Sequence, residues 1–273
     1  ELFFWLKKEK RFSEDRVRLY AAELTLALET LHEADICYRD IKPENILLDA
    51  AGHLRVTDFG LAKGNITGSG AEGGTKTYCG TPEYLAPEML ENKGHGKAVD
   101  WWGLGILTYE MLVGIPPFFD SNVQRMYHKI LHDTLRFPKA ENRKVGENAK
   151  DFLRRLLDRK VSERLGSGPK GAKELKESPF FDTLDWDLVY NKRYKCEFIP
   201  PVMRHEGDVR NFDVEFTKEK AVDSVVTSTM SATLEEKTRF EGFSYQGSQD
   251  NLDSLGGVAS DTMPYNQGVM ASR

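Results

Sequence analysis

The chain is short of the features that mark secreted, membrane-spanning or nucleic-acid-binding proteins. It has only three cysteines in 273 residues, Cys37, Cys79 and Cys196. They are far apart and odd in number, so no disulfide framework is implied, and a reducing compartment is the expected setting. Positive charge is not in excess: 38 Lys and Arg stand against 43 Asp and Glu, a formal net charge of −5. A phosphate backbone demands a basic surface, which argues against nucleic acid as a partner. No apolar run approaches the length of a membrane span, so no transmembrane segment is expected. What the chain does have is 40% hydrophobic content, enough for a sizeable core over most of its length. Its size fits one large domain or two small ones.

Periodicity predicts a mainly helical fold. Residues 13 to 33 read as a helix: Ser13 is a suitable N-cap, Glu14 and Asp15 favour the positive helix start, and Val17, Tyr20, Ala21, Leu24 and Leu28 recur at helical spacing. Ile46 to Asp49 and His53 to Thr57 read as short strands around the Ala51-Gly52 turn. They would present the loop of Asp40 and the turn of Asp58 at adjacent ends. From Asp100 to Val113 the chain is apolar on nearly all sides, as in a buried central helix. Amphipathic helices are predicted near 121–132, 147–158 and 171–177, and the globular part is expected to end near Phe180-Phe181. Beyond it, residues 182–217 show little periodicity, and residues 218–273 are rich in Ser, Thr and Gly, a composition expected to be flexible.

The run Tyr38-Arg39-Asp40-Ile41-Lys42-Pro43-Glu44-Asn45 carries the chemistry. A carboxylate, an ammonium and a carboxamide fall at positions 40, 42 and 45, on a loop that Pro43 keeps from being helical. That set suits phosphoryl transfer. Asp40 can orient a hydroxyl nucleophile and accept its proton, Lys42 can neutralise charge on the moving group, and Asn45 can ligate Mg²⁺. Asp58-Phe59-Gly60 and Ala86-Pro87-Glu88 follow in order, and Asp58 would be the second Mg²⁺ ligand, since that ion prefers hard oxygen donors.

These three motifs resemble the second half of the signature set of protein kinases. The stretch Thr77-Tyr78-Cys79-Gly80-Thr81-Pro82-Glu83-Tyr84-Leu85-Ala86-Pro87-Glu88 is similar to the AGC family, the group of cyclic-AMP-dependent kinase and protein kinase B, over roughly residues 1–245. The likeness leans toward protein kinase B and the serum/glucocorticoid-type kinases. It implies a mainly α, protein-kinase-like C-terminal lobe with a few short β-strands over 1–181. An extended AGC tail over 182–250 and disorder over 251–273 would follow. No strand-borne Gly-rich loop, Val-Ala-Ile-Lys lysine or partner glutamate helix precedes residue 38. The expectation is therefore the larger lobe and tail alone, a partial sequence, inactive without the smaller lobe.

The resemblance also implies roles. ATP and Mg²⁺ are the expected cofactors, with Glu1, Glu44, Leu47 and Thr57 joining Asn45 and Asp58 at the nucleotide. Thr77 is the expected activation-segment phosphosite, and Arg39 and Lys63 the basic residues that clamp its phosphate. Ser244, within Phe240-Glu241-Gly242-Phe243-Ser244-Tyr245, resembles the hydrophobic-motif site; Ser224 resembles a turn-motif site whose usual proline is replaced by Val225. Glu88 and Arg164 match a structural ion pair. Glu1, Glu44 and Glu110 fall where basophilic members place acids for arginines upstream of the target residue, with Thr81 also on the substrate side.

The implied partners are protein substrates with basic motifs and an upstream activating kinase. The implied location is cytoplasmic, with nuclear or membrane recruitment through regions outside this chain left open. The rival reading is a catalytically incompetent half-kinase that binds or regulates. Two further motifs are rejected. Gly68-Ser69-Gly70-Ala71-Glu72-Gly73 satisfies G-x-G-x-x-G but has no strand before it or helix after it, and reads as a flexible insertion. His128 and His132 share a helix face without a third ligand.

Overall fold

The computed structural model of the chain describes residues 1–138, 145–201, 208–211 and 217–218. Ser224, Ser244, the Phe240–Tyr245 motif and residues 251–273 lie outside them. The described residues are helix-rich with two short strands. In chain order they form α1 (Leu2–Glu9), α2 (Glu14–Glu33), β1 (Ile46–Leu48), β2 (Leu54–Val56), α3 (Pro87–Leu90), α4 (Ala98–Val113), α5 (Val123–His132), α6 (Glu147–Leu156), α7 (Ala172–Lys176) and α8 (Trp186–Tyr190).

Helix α4 is the centre. Every residue in it except Glu110 is buried, as its unbroken apolar surface requires, and it packs on α2 and α6. It ends at Gly114, whose φ of 96° is left-handed and where a Cβ would come 2.2 Å from the Lys10 carbonyl oxygen. Helix α2 begins as its sequence predicts, with the Ser13 hydroxyl accepting from the Arg16 amide at 3.2 Å. Its stripe of Val17, Tyr20, Ala21, Leu24 and Leu28 is fully buried. Phe152 of α6 meets Phe180 and Phe181 with ring centroids 5.1 and 5.0 Å apart, closing the lower core.

The strands β1 and β2 pair antiparallel, with Leu47 opposite Arg55. Gly52 turns the hairpin at a φ of 90°. A Cβ there would lie 2.1 Å from the Phe198 carbonyl oxygen, so the late chain lies directly on the hairpin.

That contact corrects the expectation that the globular part ends near Phe181. Val189 of α8 and Cys196 are buried, and Phe198 packs on Trp5 with ring centroids 4.5 Å apart. The guanidinium of Arg16 lies 3.7 Å from the Phe12 ring centroid and 4.4 Å from that of Phe198. Buried Cys196 also meets His53, whose ring nitrogen is held by Glu23 at 2.5 Å. This stretch lacks periodicity because single side chains anchor it.

The glycine-rich stretch 64–74 differs from expectation in the opposite sense. It is no loose insertion. The Thr67 amide donates to Gly73 at 3.0 Å, and the Lys97 and Ala98 amides donate to Gly68 and Ser69 at 3.0 and 3.1 Å. A Cβ at Gly68 would meet the Glu72 carbonyl oxygen at 1.9 Å, and one at Gly96 would meet that of Gly68 at 2.1 Å. At Gly68, Gly74 and Gly96 two backbones approach within touching distance, which no side chain would allow.

Candidate active site

The site hangs from the first turn of α4. Asp100 is almost wholly buried, a cost that only full pairing can offset. It accepts from the Tyr38 amide at 2.9 Å and the Arg39 amide at 2.7 Å, and meets His32 Nε2 at 2.7 Å. Arg39 takes a φ of 67°, which turns the chain sharply into Asp40. The loop that follows is thus tied to the core by its backbone.

Asp40 is 5% exposed. Its Oδ2 accepts from Asn45 Nδ2 at 2.7 Å and pairs with Lys42 Nζ at 2.9 Å. Asn45 Nδ2 also donates to the Asp40 carbonyl at 3.0 Å. Among the described residues the buried Oδ1 of Asp40 has no partner. One oxygen of the carboxylate is therefore fixed, and the other is free to accept. Thr81 lines the same small cleft as Asp40.

The second carboxylate is joined to the first by backbone. Thr57 donates to the Asn45 carbonyl from its amide at 2.9 Å and from its hydroxyl at 3.0 Å. The Tyr38 hydroxyl donates to the Thr57 carbonyl, and its ring meets Phe59 edge-on at 5.5 Å. Burial pushes the Tyr38 phenol up; Asn45 opposes this, and the carboxylates of Asp40, Asp58 and Asp100 add to it. Asp58 is exposed at a φ of 56°, with its Oδ1 accepting from the Gly60 amide at 3.0 Å. Phe59 is 51% exposed, and Leu47 is exposed on β1.

These donors fit Mg²⁺. Asn45 spends its NH₂ on Asp40, which leaves its amide oxygen for a cation, and Asp58 keeps a second oxygen. Among the described residues no group of three or more His, Cys, Asp or Glu could hold a metal. Magnesium does not need one, since it is commonly bound by one or two carboxylates together with substrate phosphates.

Arg39 and Lys63 both reach the chain between Leu61 and Thr75. Arg39 Nε donates to the Leu61 carbonyl at 2.8 Å, and Lys63 Nζ to the Thr75 hydroxyl at 2.9 Å. Thr77 is exposed, with its hydroxyl 3.3 Å from that of Thr75. Glu88 and Arg164 form the expected pair, buried and doubly hydrogen-bonded at 2.7 and 2.8 Å.

On the far side of the loop, Glu110 accepts from the Tyr84 hydroxyl. Burial raises its carboxyl to about 7, the Tyr84 bond opposing and the charges of Glu44 and Glu83 adding to the rise. Glu1 stands just before α1 without a capping side-chain hydrogen bond, and α1 packs against the Pro43–Asn45 turn that carries Glu44. Sequence reasoning missed Glu83 and Asp100. A carboxylate in the first turn of α4, with no further charge until Glu110, was the available signal for Asp100.

The family model described as Protein kinase domain matches residues 1–181, and that described as Protein kinase C terminal domain matches residues 203–245. The chain is 50% identical over 246 residues to Protein kinase 2 of Dictyostelium discoideum, which covers 90% of this chain and 49% of that protein. It is 51% identical over 247 residues to serine/threonine-protein kinase gad8 of Schizosaccharomyces pombe, covering 90% and 41%. Over 252 residues it is 46% identical to RAC-beta serine/threonine-protein kinase of Rattus norvegicus, covering 91% and 50%. The chain spans about half the length, or less, of these curated relatives. No helix among the described residues is long and apolar enough to cross a membrane.

Proposed function

Because the chain belongs to the protein kinase family, in its AGC branch of serine/threonine kinases, we propose that it supplies the catalytic loop, metal ligands and substrate acids for phosphoryl transfer from ATP to serine or threonine near arginines. The observation that carries this reading is Asp40, with one oxygen held by Lys42 and Asn45 and the other buried and unpartnered. Kinases of this family generally use ATP and Mg²⁺, and the metal neutralises charge on the phosphate oxygens.

In this reading Asp40 Oδ1 accepts the proton of the attacking hydroxyl. Lys42 pairs with the same carboxylate and would neutralise charge on the transferring group, while Asn45 and Asp58 would hold the metal. Glu1, Leu47 and Thr57 contribute to the nucleotide side. Glu44, Glu110 and Glu1 receive arginines of the substrate, joined by Glu83, with Thr81 beside the target hydroxyl. Phosphate on Thr77 is held by Arg39 and Lys63, and an upstream kinase would supply it there and at Ser244 and Ser224.

We assign residues 1–181 to the larger lobe and 182–250 to the tail. Efficient transfer also needs a lysine–glutamate pair of the kind kinases carry on the smaller lobe. The decisive experiment is therefore a chimera joining this chain to the smaller lobe of a relative such as Protein kinase 2. It should phosphorylate an arginine-bearing serine peptide, and Asp40→Asn should lower kcat by about 100-fold or more. A chimera that binds the peptide and ATP but never transfers would favour the rival reading, a binding or regulatory half-kinase.

A further inference from the structure

Two buried nitrogens near the activation segment lack partners among the described residues: Arg39 Nη1 and His95 Nε2. His95 is 2% exposed. It exchanges both backbone hydrogen bonds with Thr75, each at 2.8 Å, an isolated antiparallel bridge. Residues paired in this way carry their side chains on one face, with Cα atoms about 5.5 Å apart. The imidazole therefore shares a face with the Thr75 hydroxyl, and that hydroxyl already gathers Lys63 Nζ at 2.9 Å and the Thr77 hydroxyl at 3.3 Å. A buried ring nitrogen with no partner is costly unless something arrives to use it.

We propose that His95 is the third member of the anion site around Thr77, with Arg39 and Lys63, and that it takes a proton from solvent when Thr77 carries a phosphate. The inference rests on the reading of Thr77 as a phosphosite. Four charged groups act electrostatically on the imidazole: Arg39 from the loop before Asp40, Lys63 from the segment bridged to Cys37, Glu88 from α3 and Asp100 from α4. Burial, then Arg39, holds its basicity down, with Lys63 adding to this and Glu88 and Asp100 opposing it. The unphosphorylated site thus keeps a neutral ring beside two cations. A phosphate of charge about −1.5 to −2 reverses the balance, because an adjacent anion favours the charged ring. The ring nitrogen then donates to a phosphate oxygen, and the activation segment is held by three charge-assisted contacts. Their number depends on pH across the range where histidine titrates.

The test is nitrogen-15 NMR of the imidazoles in the full chain, with and without phosphothreonine installed at position 77 by genetic encoding, so that no upstream kinase is needed. The His95 pKa should rise by about one unit or more on phosphorylation. In the phosphorus-31 titration of the phosphothreonine, His95→Gln should remove an inflection that the parent shows. An unchanged His95 pKa overturns the proposal even if the Gln variant fails to fold, because that comparison uses the native histidine. Arg39→Ala on the phosphorylated chain separates the two levels. If the phosphate's own titration responds to Arg39 while His95 does not move, His95 alone is wrong. If the phosphate ignores Arg39, the Thr77 clamp fails and the proposal with it.

Discussion

Burial brings the Glu110 carboxyl into the neutral range. Its carboxyl is raised from 4.5 to about 7, so it is half-ionised in ordinary buffer. A carboxyl with a raised folded value binds its proton more tightly when folded, so it costs no stability below 4.5 and its full cost is felt above about 7. Glu110→Gln should therefore leave urea stability unchanged at acid pH and raise it at pH 8. Function runs the other way, since only the ionised form attracts an arginine. Between pH 6 and pH 8 the affinity of an arginine-bearing peptide should increase by up to about tenfold, and fluorescence anisotropy should show that slope vanish in Glu110→Gln. A slope that persists would place the arginine elsewhere. At this scale the sequence was most informative where chemistry needs fixed spacing. Asp40, Lys42 and Asn45 stand within six residues, and their hydrogen bonds close locally. Asp100 and His95 were illegible because their partners come from segments far away in sequence.

Among the elements, helices with a cap or an apolar periodic signal were legible, down to the five-residue α7 inside the predicted 171–177. Ser13, the apolar stripe behind it and the all-round apolar run of α4 announce α2 and α4. Helix α1 was not foreseen, because eight residues give a weak periodic signal and its burial of Leu2, Trp5 and Leu6 is set by neighbours. The glycine-rich stretch was misread for a related reason: composition alone cannot tell a loose loop from one whose glycines admit a second backbone. That difference is measurable. Gly96→Ala should cost about 1–3 kcal/mol, because its Cβ would lie 2.1 Å from a carbonyl oxygen of the apposed backbone. Gly64→Ala, with nothing within 4 Å, should be neutral in the same urea titration. Equal midpoints for the two variants would mean that the 64–74 loop is not held as described.

At the largest scale, the described residues are organised around α4, which packs on α2 and α6 and holds the Tyr38–Arg39 backbone at its first turn. The outer boundary was placed too early from sequence, because α8, Cys196 and Phe198 attach to the core one side chain at a time. Ending the chain after residue 181 should therefore lower stability by about 3 kcal/mol relative to a chain ending after residue 201, since a fully buried apolar side chain is worth about 1.5–3 kcal/mol and Val189 and Cys196 are buried there. Equal urea midpoints for the two would show that these contacts contribute nothing. The sandwich of Arg16 between Phe12 and Phe198 has a consequence on the ribosome. At typical elongation rates Arg16 leaves the tunnel about 10 to 40 seconds before Phe198 does. For that interval the guanidinium and the underside of Trp5 lack one of their covers, so the earliest helices wait for a late segment. A chaperone that shields apolar nascent chain would find its target there.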